Sequence, residues 1–269
     1  MGPLSEVIEL KRALTIAGSD SGAGAGIQAD LKTFAARGVY GTSVVAAITA
    51  QNTLRVTGVL ELPLEIIGAQ IDAVLSDIGA DAAKTGMLSS APIIELVSEK
   101  VREWGIERLV VDPVMVAKGG DSLLREDAVS ALMERLLPLA LVLTPNLPEV
   151  EVLVGHRVRS SAEMELAARE IAALGVRNVV IKGGHSEGAP LDLLFDGRDF
   201  TEYPAKRIES RNTHGTGCTF SAAIAAELAK GLSVPDAIGE AKQYVTEAIR
   251  QAPDIGAGHG PLNHFPTYE

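Results

Sequence analysis

Short β-branched apolar runs alternate along this chain with longer stretches whose apolar residues recur at helical spacing. The runs predict strands at 13–17, 43–49, 82–85, 109–112, 141–144 and 178–182. Helices are predicted between them at 27–37, 63–78, 91–104, 126–137, 147–153 and 162–174. Residues 191–195 and 199–203, separated by Gly197, read as an antiparallel hairpin late in the sheet. Two helices, 216–230 and 234–251, close the pattern, and Pro235 suits the first turn of the second. Strand and helix in regular alternation imply βαβ units around a mainly parallel sheet, an α/β fold.

Polar residues and glycines gather directly after these strands. Gly18-Ser19-Asp20 follows the first, Gln51-Asn52 the second, and Lys84-Thr85-Gly86-Met87 lies at the third. Asp112-Pro113, Pro145-Asn146 and Lys182-Gly183-Gly184 follow the later ones. Ligands of an open α/β sheet bind at the carboxyl ends of its strands, so the placement predicts one composite site.

Charge narrows the ligand. The net charge of −11 gives no global positive field for nucleic acid or an anionic membrane, so any anion must be held locally. Apolar content of 46% over 269 residues is that of a folded globular protein, and no linker-like tract or repeat divides it, so one domain is expected. Cys218 is the lone cysteine, which excludes an intramolecular disulfide. Neither a secretory signal nor an 18-residue apolar span is evident, which makes the cytoplasm the expected compartment.

The loop from Gly18 to Gly26 opens a helix, and Gly24-Ala-Gly-Ile-Gln-Ala29 formally fits the dinucleotide fingerprint. That fingerprint expects an acidic residue about 20 positions on, at the end of the second strand. Here the strand ends Thr49-Ala50-Gln51-Asn52-Thr53, without a carboxylate. The loop reads better as a substrate loop whose backbone approaches a ligand closely. No Gly-Lys dipeptide occurs anywhere, so Walker A chemistry is excluded.

Near the C-terminus, Gly215-Thr216-Gly217-Cys218 runs straight into a strongly helical segment. Two glycines free successive N–H groups to point at one spot, and the helix end adds roughly half a positive charge there. This suits the oxygens of a phosphoryl group in transfer. Cys218, in the first helical turn, is placed where a thiol pKa is lowered. It either accepts the proton of a substrate hydroxyl or packs as a small buried residue. Asp112 and Glu149 offer carboxylates to Mg²⁺ or its water shell, and Lys182 an ammonium to a phosphate. Each also has a plain alternative: Asn146 as a helix cap, Glu149 as a solvated first-turn acid, Lys182 as a surface cation.

Taken together, these motifs resemble the ribokinase superfamily. They are most similar to its hydroxymethylpyrimidine/phosphomethylpyrimidine kinases of thiamine biosynthesis. The resemblance runs from residue 13 to 265 through Ala13–Gly22, Gly26–Phe34, Thr49–Thr53, Lys84–Leu88, Asp112–Lys118, Leu143–Glu149, Lys182–His185, Asn212–Cys218 and Gly258–Phe265. It implies a three-layer α/β/α fold, a homodimer and the use of ATP with Mg²⁺ on a small aminopyrimidine alcohol and then its monophosphate. It also implies residue roles. Gln51 would read the pyrimidine, and Asp30, Met87, Val114 and the Gly18 loop would line its pocket. Asp112 and Glu149 would serve the metal, Asn146, Lys182 and His214 the nucleotide, and Gly215 to Cys218 the anion hole. Sugar kinases of the superfamily carry an aspartate base where Cys218 stands. Pyridoxal kinase is the rival within the fold, and Gln51 favours the aminopyrimidine because one amide supplies both a donor and an acceptor.

Overall fold

The computed structural model describes residues 9–115, 126–185 and 191–268. Residues 116–118, the end of one motif quoted above, lie outside them. The elements in chain order are β1 (Arg12–Asp20), α1 (Gly26–Ala36), β2 (Tyr40–Gln51), β3 (Val56–Glu61), α2 (Leu64–Asp77), β4 (Ala82–Thr85), α3 (Ala91–Glu103) and β5 (Leu109–Val111). They continue with α4 (Glu126–Ala131), β6 (Val142–Leu143), α5 (Leu147–Val154), α6 (Ser161–Ala172), β7 (Asn178–Ile181), β8 (Leu191–Phe195), β9 (Phe200–Pro204), α7 (Thr216–Ala229) and α8 (Val234–Arg250).

The sheet order is β3-β2-β1-β4-β5-β6-β7-β8-β9. Its centre, β2 to β7, is parallel, while β3 at one edge and β8 beside β7 run antiparallel to their neighbours. This is the three-layer α/β/α arrangement expected from the sequence. Two departures have physical causes. Strand β3 was not anticipated because its residues are exposed almost throughout, which removes the burial alternation that marks a strand. The helix expected over 126–137 is α-helical only to Ala131, then widens into a π turn at Leu132–Leu136 and tightens at Leu137–Leu139, where Pro138 lacks an N–H.

Period-2 alternation along the strands decides which residues meet which layer. Leu14, Ile16, Ala83, Val111, Leu143 and Val179 face the layer that includes α2, α3 and α6. Ala13, Ala82, Val110, Val142 and Val180 face the opposite layer of α1, α7 and α8. The residue two positions further along falls on the same face, within β1 and β4 or just past the ends of β5, β6 and β7. Those residues are Thr15, Lys84, Asp112, Thr144 and Lys182. The same rule that buries the core thus sets five polar side chains on the side of α1 and α7: Thr15 and Lys84 bond Asp30 of α1, and Asp112 accepts from Ser221 of α7. Alanine-rich α7 is buried almost all round, and its small side chains let it lie close over the sheet.

Candidate active site

The amino end of α7 meets the polar strand ends. Gly215 caps the helix with φ of +80°, in the left-handed region that disfavours any side chain. A Cβ there would stand only 1.8 Å from the Gly24 carbonyl oxygen, so the glycine-rich loop rests directly on the helix cap. Thr216 donates its hydroxyl hydrogen to the Thr213 carbonyl, 2.7 Å away, and so tightens the turn. At Gly217 a Cβ would lie 3.2 Å from Lys182 Nζ and 3.6 Å from Asp112 Oδ2. The expected anion hole, cation and carboxylate are therefore one cluster.

Lys182 Nζ bonds Asp112 Oδ1 at 3.2 Å, and Asp112 also accepts from Thr144 and Ser221. Burial works against the lysine's charge, but Asp112 and Glu149 outweigh it and hold its pKa up. This is a partnered cation, not the exposed one that a solvated strand end would give. Asn146 caps α5: its side chain accepts from the Glu149 amide at 3.0 Å, while Glu149 Oε2 accepts from the Asn146 amide at 2.8 Å. Glu149 is buried all the same. Burial pushes its carboxyl up to about 7, with Asp112 adding to the rise and Lys182 opposing it. Two carboxylates that repel each other beside a glycine-capped helix end suit a hard divalent cation, which needs few protein ligands when phosphates and water complete its shell. Among the described residues, no group of three or more His, Cys, Asp or Glu side chains could hold a metal without such help.

Cys218 departs from expectation. The helix end was expected to favour thiolate; instead burial pushes the thiol up to about 11, with Asp112 and Asp30 reinforcing the shift and Lys84 opposing it. Desolvation and two nearby carboxylates outweigh the helix dipole. The lone cysteine makes this testable. Iodoacetamide should label Cys218 slowly at neutral pH, with a rate rising tenfold per pH unit past pH 9. A plateau below pH 8 would show a thiolate after all.

Asp30 does not stand as an open pocket wall. It is fully buried, 2.9 and 3.0 Å from Lys84 Nζ, and accepts the Thr15 hydroxyl hydrogen at 2.6 Å. The Lys84 ammonium, not singled out in the sequence, is held charged by Asp30 against the penalty of burial. The pairing spans distant strand and helix positions, and no local pattern announces it.

On the other side of the loop, Met87 covers Gly18, its methyl carbon 2.5 Å from where a Cβ would stand. Val114 follows Asp112 and donates its amide to the Asp112 carbonyl at 2.8 Å. Gln51 ends β2, its backbone clasped by Ser21, whose hydroxyl both accepts from the Gln51 amide and donates to its carbonyl. Its side chain lies 3.3 Å from His214 Nε2. His214, expected on the nucleotide side, is found against Asp20, 2.9 Å away, in the substrate loop.

Comparison with known proteins agrees with this geometry. A family model described as phosphomethylpyrimidine kinase matches residues 20–263. The hydroxymethylpyrimidine/phosphomethylpyrimidine kinase of Rhizobium meliloti is 55% identical over 257 residues, covering 94% of this chain and 96% of that protein. The thiamine biosynthesis bifunctional protein ThiED of Geobacter sulfurreducens is 54% identical over 253 residues; the match covers 94% of this chain but 52% of that protein, so the chain spans about half its length. Among solved structures, the ADP complex of Bacillus subtilis pyridoxal kinase superposes with a TM-score of 0.89 at 42% identity, covering 95% of this chain and 98% of that one. The fold is ribokinase-like, and the protein is a kinase. A glycine helix cap, a lysine–aspartate pair and a glycine-rich loop thus sit in a chain that matches one family model over most of its length: this chain belongs to the phosphomethylpyrimidine kinase family.

Proposed function

We propose that this kinase uses ATP with Mg²⁺ to phosphorylate the hydroxymethyl oxygen of 4-amino-5-hydroxymethyl-2-methylpyrimidine, and then the resulting monophosphate to the diphosphate, in thiamine biosynthesis. The observation that carries the reading is the contact between Gln51 and His214. It sets an amide that matches an aminopyrimidine edge one residue before the anion hole, so acceptor and transferring phosphoryl group share one site.

In this reading the amides at the start of α7 and the Lys182 ammonium hold the γ-phosphoryl oxygens. Asp112 and Glu149 hold Mg²⁺, directly or through water, and the ion offsets charge on the phosphates when bound. The bond from γ-phosphorus to the bridging oxygen breaks as one forms to the hydroxymethyl oxygen, the hydroxyl proton passes to water, and ADP leaves. A loose transition state asks little of a base. In the second step a phosphate oxygen, already ionised, attacks. A protonated Cys218 is compatible with both steps.

A homodimer is part of the proposal, supported by the exposed apolar side chains Ile48, Val59 and Leu60 on the β2–β3 hairpin. So is a single domain acting in the cytoplasm: no helix among the described residues is long and apolar enough to cross a membrane. Mass spectrometry of products from the pyrimidine alcohol, pyridoxal and a sugar alcohol tests the reading. The pyrimidine mono- and diphosphates are expected; turnover of pyridoxal with no pyrimidine product would overturn it.

A further inference from the structure

Gln51 sits between groups whose polarity can be worked out. Asp20 is buried and accepts from the amides of Gly22 at 2.8 Å, Gly24 at 3.1 Å and Ala25 at 2.9 Å. Burial opposes its charge, but the bonds from His214, Ala25 and Gly22 hold its carboxyl below the usual range. His214 Nε2 is 2.9 Å from Asp20 Oδ2. That nitrogen must carry a hydrogen, because a bare lone pair would face a carboxylate. The Gln51 amide approaches the same nitrogen at 3.3 Å. With the amide nitrogen in that place, two N–H groups oppose each other.

The other end of the amide has the same conflict. Thr49 Oγ1 is 3.0 Å from the Ser19 carbonyl and 3.1 Å from Gln51 Oε1. One hydroxyl hydrogen cannot serve both oxygens fully. A half-turn of the amide removes both conflicts. His214 Nε2–H then donates to Asp20 and, as the weaker arm, to the Gln51 oxygen. The Gln51 nitrogen donates to Thr49, and Thr49 donates to Ser19.

We propose that Asp20, His214 and Thr49 are positioning residues that lock the Gln51 amide in this half-turned orientation. One oxygen lone pair and one N–H remain free, at fixed places, to read the substrate. A bound ring must therefore present its donor on the His214 side and its acceptor on the Thr49 side. A ring that carries no donor at that place leaves the oxygen unpaired. The proposal rests on reading Gln51 as a substrate contact.

The test is Thr49→Val, nearly isosteric, beside Thr49→Ser and Gln51→Ala. Thr49→Val should raise the pyrimidine KM about three- to tenfold, the worth of one neutral hydrogen bond. The KM for ATP should not move, and Thr49→Ser should restore the wild-type value. An unchanged pyrimidine KM in Thr49→Val, with a raised one in Gln51→Ala, overturns the lock and spares the reader. If Thr49→Ser also fails, packing is responsible and the proposal falls. An unchanged KM in Gln51→Ala removes the reading beneath both. Independently of any variant, long-range ¹⁵N–¹H spectra of the wild-type protein should show His214 protonated at Nε2. Protonation at Nδ1 alone overturns the lock.

Discussion

Gly215→Ala is expected to lower kcat by about 100-fold or more, the scale of losing a preorganised donor at a developing charge. The reason is geometric. An alanine held at φ +80° costs about 1–2 kcal/mol, and its Cβ cannot share space with the Gly24 carbonyl 1.8 Å away. Either the helix cap or the substrate loop must retreat, and each holds half of the site. Steady-state kinetics and a thermal melt separate the outcomes. A melting temperature within a few degrees of wild type with the large loss in kcat fits the reading. A variant within tenfold of wild-type kcat would show that the cap is not part of the chemistry.

Lys182→Met should cost about 100- to 1,000-fold in kcat/KM, because the site loses its cation against the transferring phosphoryl group. The variant also strands Asp112, buried and without its ion-pair partner, so stability should fall by up to about 3 kcal/mol in urea titrations. Adding Asp112→Asn should recover stability, which separates the cost of the stranded carboxylate from the loss of the cation. A pH profile gives the sign independently. Lys182 is among the groups that hold Glu149 down, and its loss sends that carboxyl above the value of about 7. The acid limb of activity should therefore move to higher pH in the variant. A limb that stays put would mean that Glu149 does not control it.

Much of this was legible beforehand because strand ends are marked by chemistry as well as by pattern. Asp112 and Lys182 each followed an apolar run whose burial was itself predictable, and the Gly215 turn led directly into one. The legible features were local ones. Strand β3 escaped because an exposed edge strand has no inside face to print on the sequence. The Lys84–Asp30 pair escaped because partners that meet across a layer share no spacing. His214 was assigned to the nucleotide on the resemblance alone; its contact with Asp20 crosses to the chain's first loop, which no local spacing shows. The Cys218 thiol went the other way because a helix end is visible in a sequence, whereas the carboxylates packed around it are not.

The sheet order also fixes how the protein can be assembled on a ribosome. Once β1 and β2 exist, β4 joins the free edge of β1 and each strand from β5 to β9 joins the edge left by its predecessor, so the sheet can grow in the order of synthesis. The helix proposed to complete the anion hole, α7, follows every strand of the sheet in chain order. A nascent chain that has not yet reached residue 216 holds its strand-end charges over an uncovered face. On the proposed reading, catalytic competence waits on residues 216–229, and α7 both covers that face and completes the site.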